Sequence, residues 1–170
     1  GVEGNEIVFT SNQASPSAGD WQGITLSSAS SFQTCTLSHF RVEYATNGLY
    51  LNGNQAPYPA QINNGTFYEC SSSGISVNNS SPAISDCSVS QFGSTGILYT
   101  GNSSGTLTNT EVEQIAAYYH SGTGLQISSN SHPTVSGGSF QYSSNGIYIS
   151  GASPLIENVL VLGCNAYGIE

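Results

Sequence analysis

Positive charge is almost missing from this chain: Lys and Arg together occur once, as Arg41, against ten carboxylates, for a net charge of −9. A nucleic-acid partner needs a basic patch to neutralise phosphates, so that class is excluded. Insertion into, or docking on, an anionic membrane is disfavoured on the same ground. Charged residues of both signs make up only 6 % of the 170 residues, far below the roughly 25 % of ordinary globular domains. Sparse charge can mark disorder, but disordered chains lack aromatics and β-branched residues. Ten Tyr and six Phe stand beside many Ile and Val here, so the chain is expected to fold. No apolar run approaches the ~20 residues of a membrane-spanning helix. The lack of lysine suits a protein that meets extracellular proteases.

Clustered metal ligands are missing too. Cys35, Cys70, Cys87 and Cys164 form no Cys-x-x-Cys pair, so a zinc-ribbon or thioredoxin-type site is not indicated. Buried thiols or one disulfide are the expected states. No cofactor is expected, with Ca²⁺ at Glu111-Val112-Glu113 the one weak cation candidate. Helices have no room, because Pro, Gly and β-branched residues interrupt every window.

What the sequence has instead is a repeat. Gly-apolar-x-apolar recurs as Gly23-Ile24-Thr25-Leu26, Gly48-Leu49-Tyr50-Leu51, Gly74-Ile75-Ser76-Val77 and Gly96-Ile97-Leu98-Tyr99. It continues as Gly124-Leu125-Gln126-Ile127 and Gly146-Ile147-Tyr148-Ile149, and restarts at Gly168-Ile169. Successive glycines are 25, 26, 22, 28, 22 and 22 residues apart. Between them lies a second frame, apolar-x-Asn/Asp-x-x-apolar, as in Ile84-Ser85-Asp86-Cys87-Ser88-Val89 and Leu107-Thr108-Asn109-Thr110-Glu111-Val112. Ile62 to Phe67 and Ile156 to Val161 repeat it, whereas His39 and Gly137 replace the Asn in two copies.

Period-two alternation gives short strands with one buried face. Gly and Asn tolerate the left-handed backbone of sharp bends, and an Asn in each coil is placed to form a hydrogen-bonded ladder. A repeat of this length with two or three short strands predicts an all-β fold, a right-handed parallel β-helix of six to seven coils of about 22–28 residues, over residues 1–170 as one domain. Four core columns follow. The first two run from Ile24 through Leu49 to Ile169 and from Leu26 through Leu51 to Ile149. The others run from Leu37 through Ile62 to Ile156 and from Val42 through Phe67 to Val161. With coils about 4.8 Å apart the rod is roughly 30 Å long. Cys70 and Cys164, four coils or about 19 Å apart, are then too distant to bond.

Through these repeats the chain resembles the pectate-lyase-like superfamily of right-handed parallel β-helices. The opening Ile7-Val8-Phe9-Thr10-Ser11-Asn12 and the later Gly19-Asp20-Trp21-Gln22-Gly23-Ile24 look like a segment of bacterial and archaeal surface β-helix proteins. The resemblance implies the fold over nearly the whole chain and leaves activity open, because enzymes, adhesins, phage spikes and surface-layer proteins share this scaffold. Its lyases use clustered carboxylates with Ca²⁺ and a basic residue, and its hydrolases paired aspartates with His. Here Arg41 lies beside its own ion-pair partner Glu43, and Glu111 and Glu113 fall three coils away, about 14 Å. Asp86 and Glu157 are read as turn residues, His39 as a structural replacement of the turn Asn, and His132 and His120 as exposed loop residues. No catalytic residue is assigned.

The outward column Thr25, Tyr50, Ser76, Leu98, Gln126, Tyr148 is the candidate surface stripe, with Tyr50, Leu98, Gln126 and Tyr148 at its centre. It suits lateral packing against another rod more than sugar stacking, and is too varied for the regular Thr-x-Thr array of an ice binder. Asn64, Asn78, Asn79 and Asn102 begin glycosylation sequons. The last residues, Gly168-Ile169-Glu170, open a strand that Gly1-Val2-Glu3 would continue, so the chain is expected to be part of a longer β-helix or an end-to-end stacking subunit. Together these features point to a non-catalytic structural module of an extracellular or cell-surface assembly, a fibre, sheath, surface layer or adhesin shaft. Its partners would be further copies or neighbouring β-helix segments. The alternative is a carbohydrate-binding or polysaccharide-degrading β-helix.

Overall fold

The structure, a computed structural model, describes residues 1–27, 35–53, 60–114 and 121–170. Among these residues there is no helix, and eighteen strands follow one another in coils. The Gly-apolar-x-apolar repeat becomes face A of the coil. It is made of β2 (Ile24–Ser27), β4 (Asn47–Asn52), β6 (Ser73–Asn78), β9 (Thr95–Thr100), β12 (Thr123–Ser128), β15 (Asn145–Ser150) and β18 (Tyr167–Ile169), neighbours in that order. Every pairing is parallel, as coils stacked along one axis require.

The second frame makes the other two faces. Face B carries β7 (Ala83–Ser85), β10 (Thr106–Thr108), β13 (Thr134–Ser136) and β16 (Leu155–Glu157). Face C carries β1 (Ile7–Phe9), β8 (Ser88–Phe92), β11 (Glu111–Glu113), β14 (Ser139–Gln141) and β17 (Leu160–Leu162). β3 (Thr36–Glu43) and β5 (Gln61–Cys70) run unbroken through the corner between them, which joins both faces into one eleven-stranded sheet.

That corner is the Asn column. His39, Asn64, Asp86, Asn109, Gly137 and Asn158 all have left-handed backbone, with φ between 47° and 70°. Asn and Asp adopt it because a short polar side chain lessens the penalty that L-residues meet there. His39 is therefore a turn residue, as expected. Glu157 is not: it ends β16 with its side chain outward, and the turn is made by Asn158. The expected amide ladder is also replaced. Along this column the coils are tied by backbone bonds, with Asp86 N–H donating to Thr108 O at 3.0 Å and Asn109 N–H to Ser136 O at 3.0 Å.

All four predicted columns hold in register, Leu37–Ile62–Ile84 and Val42–Phe67–Val89 among them. Their central members are fully buried, from Leu49, Ile62 and Phe67 to Leu125, Val135 and Phe140. The end members are not. Ile169, in the last strand β18, is 57 % exposed, and Leu155, Leu160 and Leu162 are exposed near it.

Two features differ from the sequence reading in their cause. The repeat glycines from Gly48 to Gly146 are not at left-handed φ. They are glycine because two backbones and a side chain meet there. A Cβ on Gly48 would lie 2.6 Å from Phe67 Cδ1 and 2.6 Å from Gly74 O, and Val89, Val112 and Val161 crowd Gly74, Gly96 and Gly146 in the same way. Conversely, the corner from face C to face A carries left-handed Tyr44, Glu69, Gln91 and Tyr142, none of them a turn-forming type. Backbone bonds such as Tyr44 N–H to Tyr68 O at 3.1 Å hold that bend instead.

Candidate functional site

Face A places the stripe as the spacing demanded. Thr25, Tyr50, Ser76, Leu98, Gln126 and Tyr148 are Cα partners from one coil to the next. Glu170 follows in the same column, because its N–H donates to Ile147 O at 2.9 Å and its carbonyl accepts from Ile149 N–H at 2.8 Å. Tyr50, Leu98, Gln126 and Tyr148 are half-buried, and Ser76 is covered to 7 % exposure by the larger neighbours of its column.

Amides fix this surface. Asn78 Nδ2 donates to Tyr50 Oη at 3.3 Å and to Asn52 Oδ1 at 3.3 Å, which ties the Tyr50 ring to the next coil. Thr95 Oγ1 donates to Gln126 Oε1 at 3.5 Å, and Asn145 Nδ2 to Glu170 Oε2 at 3.4 Å. The flanking columns that supply these groups, Asn52–Asn78–Thr100 and Asn47–Ser73–Thr95, were missed in the sequence. The first column stands two residues after the stripe, where period two alone would have pointed to it; the second stands three residues before it, because the repeat glycine between them faces the core and breaks the alternation. The strands of face A carry no ionised side chain; Glu170, just after β18, is the one carboxylate in line with them.

The titratable groups lie elsewhere and apart. Arg41 Nε meets Glu43 Oε1 at 3.2 Å on face C, and Thr10 Oγ1 donates to Glu43 Oε2 at 3.0 Å. Glu111 and Glu113 occupy the same outward columns three coils along, through Thr66 and Ser88 and through Tyr68 and Ser90. The structure does not bring them to Arg41. Among the described residues no three His, Cys, Asp or Glu side chains gather as a metal site. His132 is exposed with Nδ1 3.2 Å from Asn130 O, and His120 lies outside the described residues. Asp20 organises the loop before β2: Ser11 Oγ and Ser17 N–H donate to its carboxylate, and both hold its pKa below the usual value.

All four cysteines are free thiols. Burial pushes Cys70 and Cys87 up to about 11, so neither is a nucleophile at neutral pH. Of the sequon residues, Asn64, Asn79 and Asn102 are exposed in left-handed turns. Asn78 is instead held by Tyr50 and Asn52, and the hydroxyl residue of its sequon, Ser80, is fully buried.

What this arrangement offers is one broad neutral face, with the carboxylates dispersed over the other two and over the corners and loops. No curated protein and no solved structure matches the chain significantly. The family description that does match is the right-handed β-helix region, over residues 22–170. With three parallel strands to a coil and about six turns, the chain belongs to the right-handed β-helix family.

Proposed function

We propose that this chain is a non-catalytic structural module of an extracellular or cell-surface assembly, as in a fibre, sheath, surface layer or adhesin shaft. The observation that carries the reading is the dispersal of the acids and bases among the described residues. General acid–base chemistry needs two such groups within reach of one bond. Here Arg41 is bound to Glu43, and the Glu111–Glu113 pair lies three coils off on the same face. What the repeat supports is a stiff, nearly uncharged rod.

The test is incubation with polygalacturonate, alginate and neutral glucans, followed by assay of new reducing ends and of unsaturated products. No product is expected. Cleavage lost on Glu111→Ala or Glu113→Ala would overturn the structural reading. A second reading, carbohydrate binding without cleavage, draws on one observation, the Tyr50 ring fixed on a neutral, amide-rich face by Asn78. End-to-end stacking remains part of the structural proposal; electron microscopy of filaments with an axial repeat near the ~30 Å rod length tests it.

A further inference from the structure

Three of the four sequons lie along the two edges of one face. Asn64-Gly65-Thr66 turns the corner between faces B and C, inside β5. Asn79-Ser80-Ser81 and Asn102-Ser103-Ser104 occupy the corner between faces A and B in successive coils, just before β7 and β10. All three asparagines are exposed, with left-handed φ of 51°, 47° and 64°. The remaining corner, from face C to face A, carries Tyr44, Glu69, Gln91 and Tyr142 and no sequon.

Face B between those edges has room for a bulky group. Its outward residues beside the sequons are Gln61 and Asn63 on β5, Ala83 and Ser85 on β7, and Thr106 and Thr108 on β10. None is charged or aromatic. In the same coils face C presents Tyr68, Glu111 and Glu113 instead.

We propose that Asn64, Asn79 and Asn102 are N-glycosylated, which makes face B the sugar-bearing side of the rod. The transfer joins each Asn Nδ2 to the anomeric carbon of a lipid-diphosphate-linked oligosaccharide. The bond from that carbon to the diphosphate oxygen breaks, the lipid diphosphate leaves, and Nδ2 gives up one of its two protons. The proposal rests on the extracellular reading, because such a transfer is made to exported chains.

The same chemistry excludes Asn78. Its Nδ2 donates to Tyr50 Oη and to Asn52 Oδ1, so giving up a proton to a sugar would break one of those bonds. Asn79 Nδ2 donates to Asn78 Oδ1 at 3.5 Å and keeps a proton for that bond after transfer. Glycans are bulky and strongly hydrated. Along face B they would solubilise a rod with only 6 % charged residues and close that side to lateral packing, which leaves faces A and C for partners.

Glycopeptide mass spectrometry of the chain, recovered from the cell surface or medium of its source, tests this. Chymotryptic peptides should carry sugar on Asn64, Asn79 and Asn102 and none on Asn78. In the exported chain Asn64→Asp, Asn79→Asp and Asn102→Asp should each remove the mass of one glycan. Circular dichroism should stay unchanged, because Asp adopts a left-handed corner as Asp86 does. Bare asparagines at all three positions, or sugar on Asn78, would overturn the proposal. If those bare chains nonetheless form a surface assembly, the structural role stands without the glycans. A glycosylated chain that cleaves polysaccharide would keep the sugar-bearing face and sink the structural role.

Discussion

Individual side chains decide more here than their number suggests. Tyr99 stands in an aliphatic core column, fully buried, and its hydroxyl has no hydrogen-bond partner. A buried hydroxyl left unpaired costs about 1–3 kcal/mol. Tyr99→Phe should therefore stabilise the fold by about 1 kcal/mol, seen as a higher urea midpoint. The glycine column predicts the opposite sign. A methyl at Gly74 meets Val89 and the Gly96 carbonyl, so Gly74→Ala should destabilise by about 1–3 kcal/mol in the same titration. The thiols make stability pH-dependent. Cys70 and Cys87 rise from 9.0 to about 11 through burial, so above pH 9 the unfolded chain loses protons that the folded chain keeps. Stability present below pH 9 is then lost as pH climbs toward 11. Cys70→Ala with Cys87→Ala should flatten that alkaline fall in the urea midpoint.

At the scale of elements, the coils are joined at their corners as well as through their sheets. Where face A turns into face B, Ser80, Ser103 and Ser131 are fully buried one above another. Ser80 N–H donates to Ser103 Oγ at 3.3 Å, and Ser103 N–H donates to Ser131 Oγ at 3.2 Å. Ser103 Oγ in turn donates to the Thr100 carbonyl. Removing that hydroxyl takes one hydrogen bond from the Ser80 N–H and one from the Thr100 carbonyl, so Ser103→Ala should cost about 1 kcal/mol. The same change at exposed Ser94 should cost under 0.5 kcal/mol or so. Comparing the two denaturation curves checks the ladder. By contrast the Arg41–Glu43 pair, with Arg41 about half exposed, adds little, as surface pairs do.

On the scale of the whole molecule, a solenoid's stability is a sum over coils and their contacts with neighbours. The middle coils have neighbours on both sides, and β6, β9 and β12 carry the fully buried Ile75, Ile97 and Leu125. β1, β17 and β18 pair on one side only and expose Ile7, Leu160 and Ile169. Amide hydrogen exchange should therefore be slowest in β6–β12 and rise toward both ends. Uniform protection along the rod would contradict that picture.

Much of this was legible because a parallel solenoid writes its geometry directly into spacing. Each coil repeats the last, so one Gly-apolar-x-apolar frame fixed face A, one Asn-centred frame fixed the corner between B and C, and both fixed the register of all four core columns. The stripe from Thr25 to Tyr148 was readable for the same reason, since alternation tells inside from outside without reference to distant residues. Two things were decided only in the folded chain. The repeat glycines owe their place to Phe67, Val89, Val112 and Val161, which arrive from another face and leave no room for a Cβ. The left-handed bends at Tyr44, Glu69, Gln91 and Tyr142 defy local preference, because neighbouring coils hold the backbone there. Periodicity is local information and survives in the sequence, whereas close approach arises between coils more than twenty residues apart.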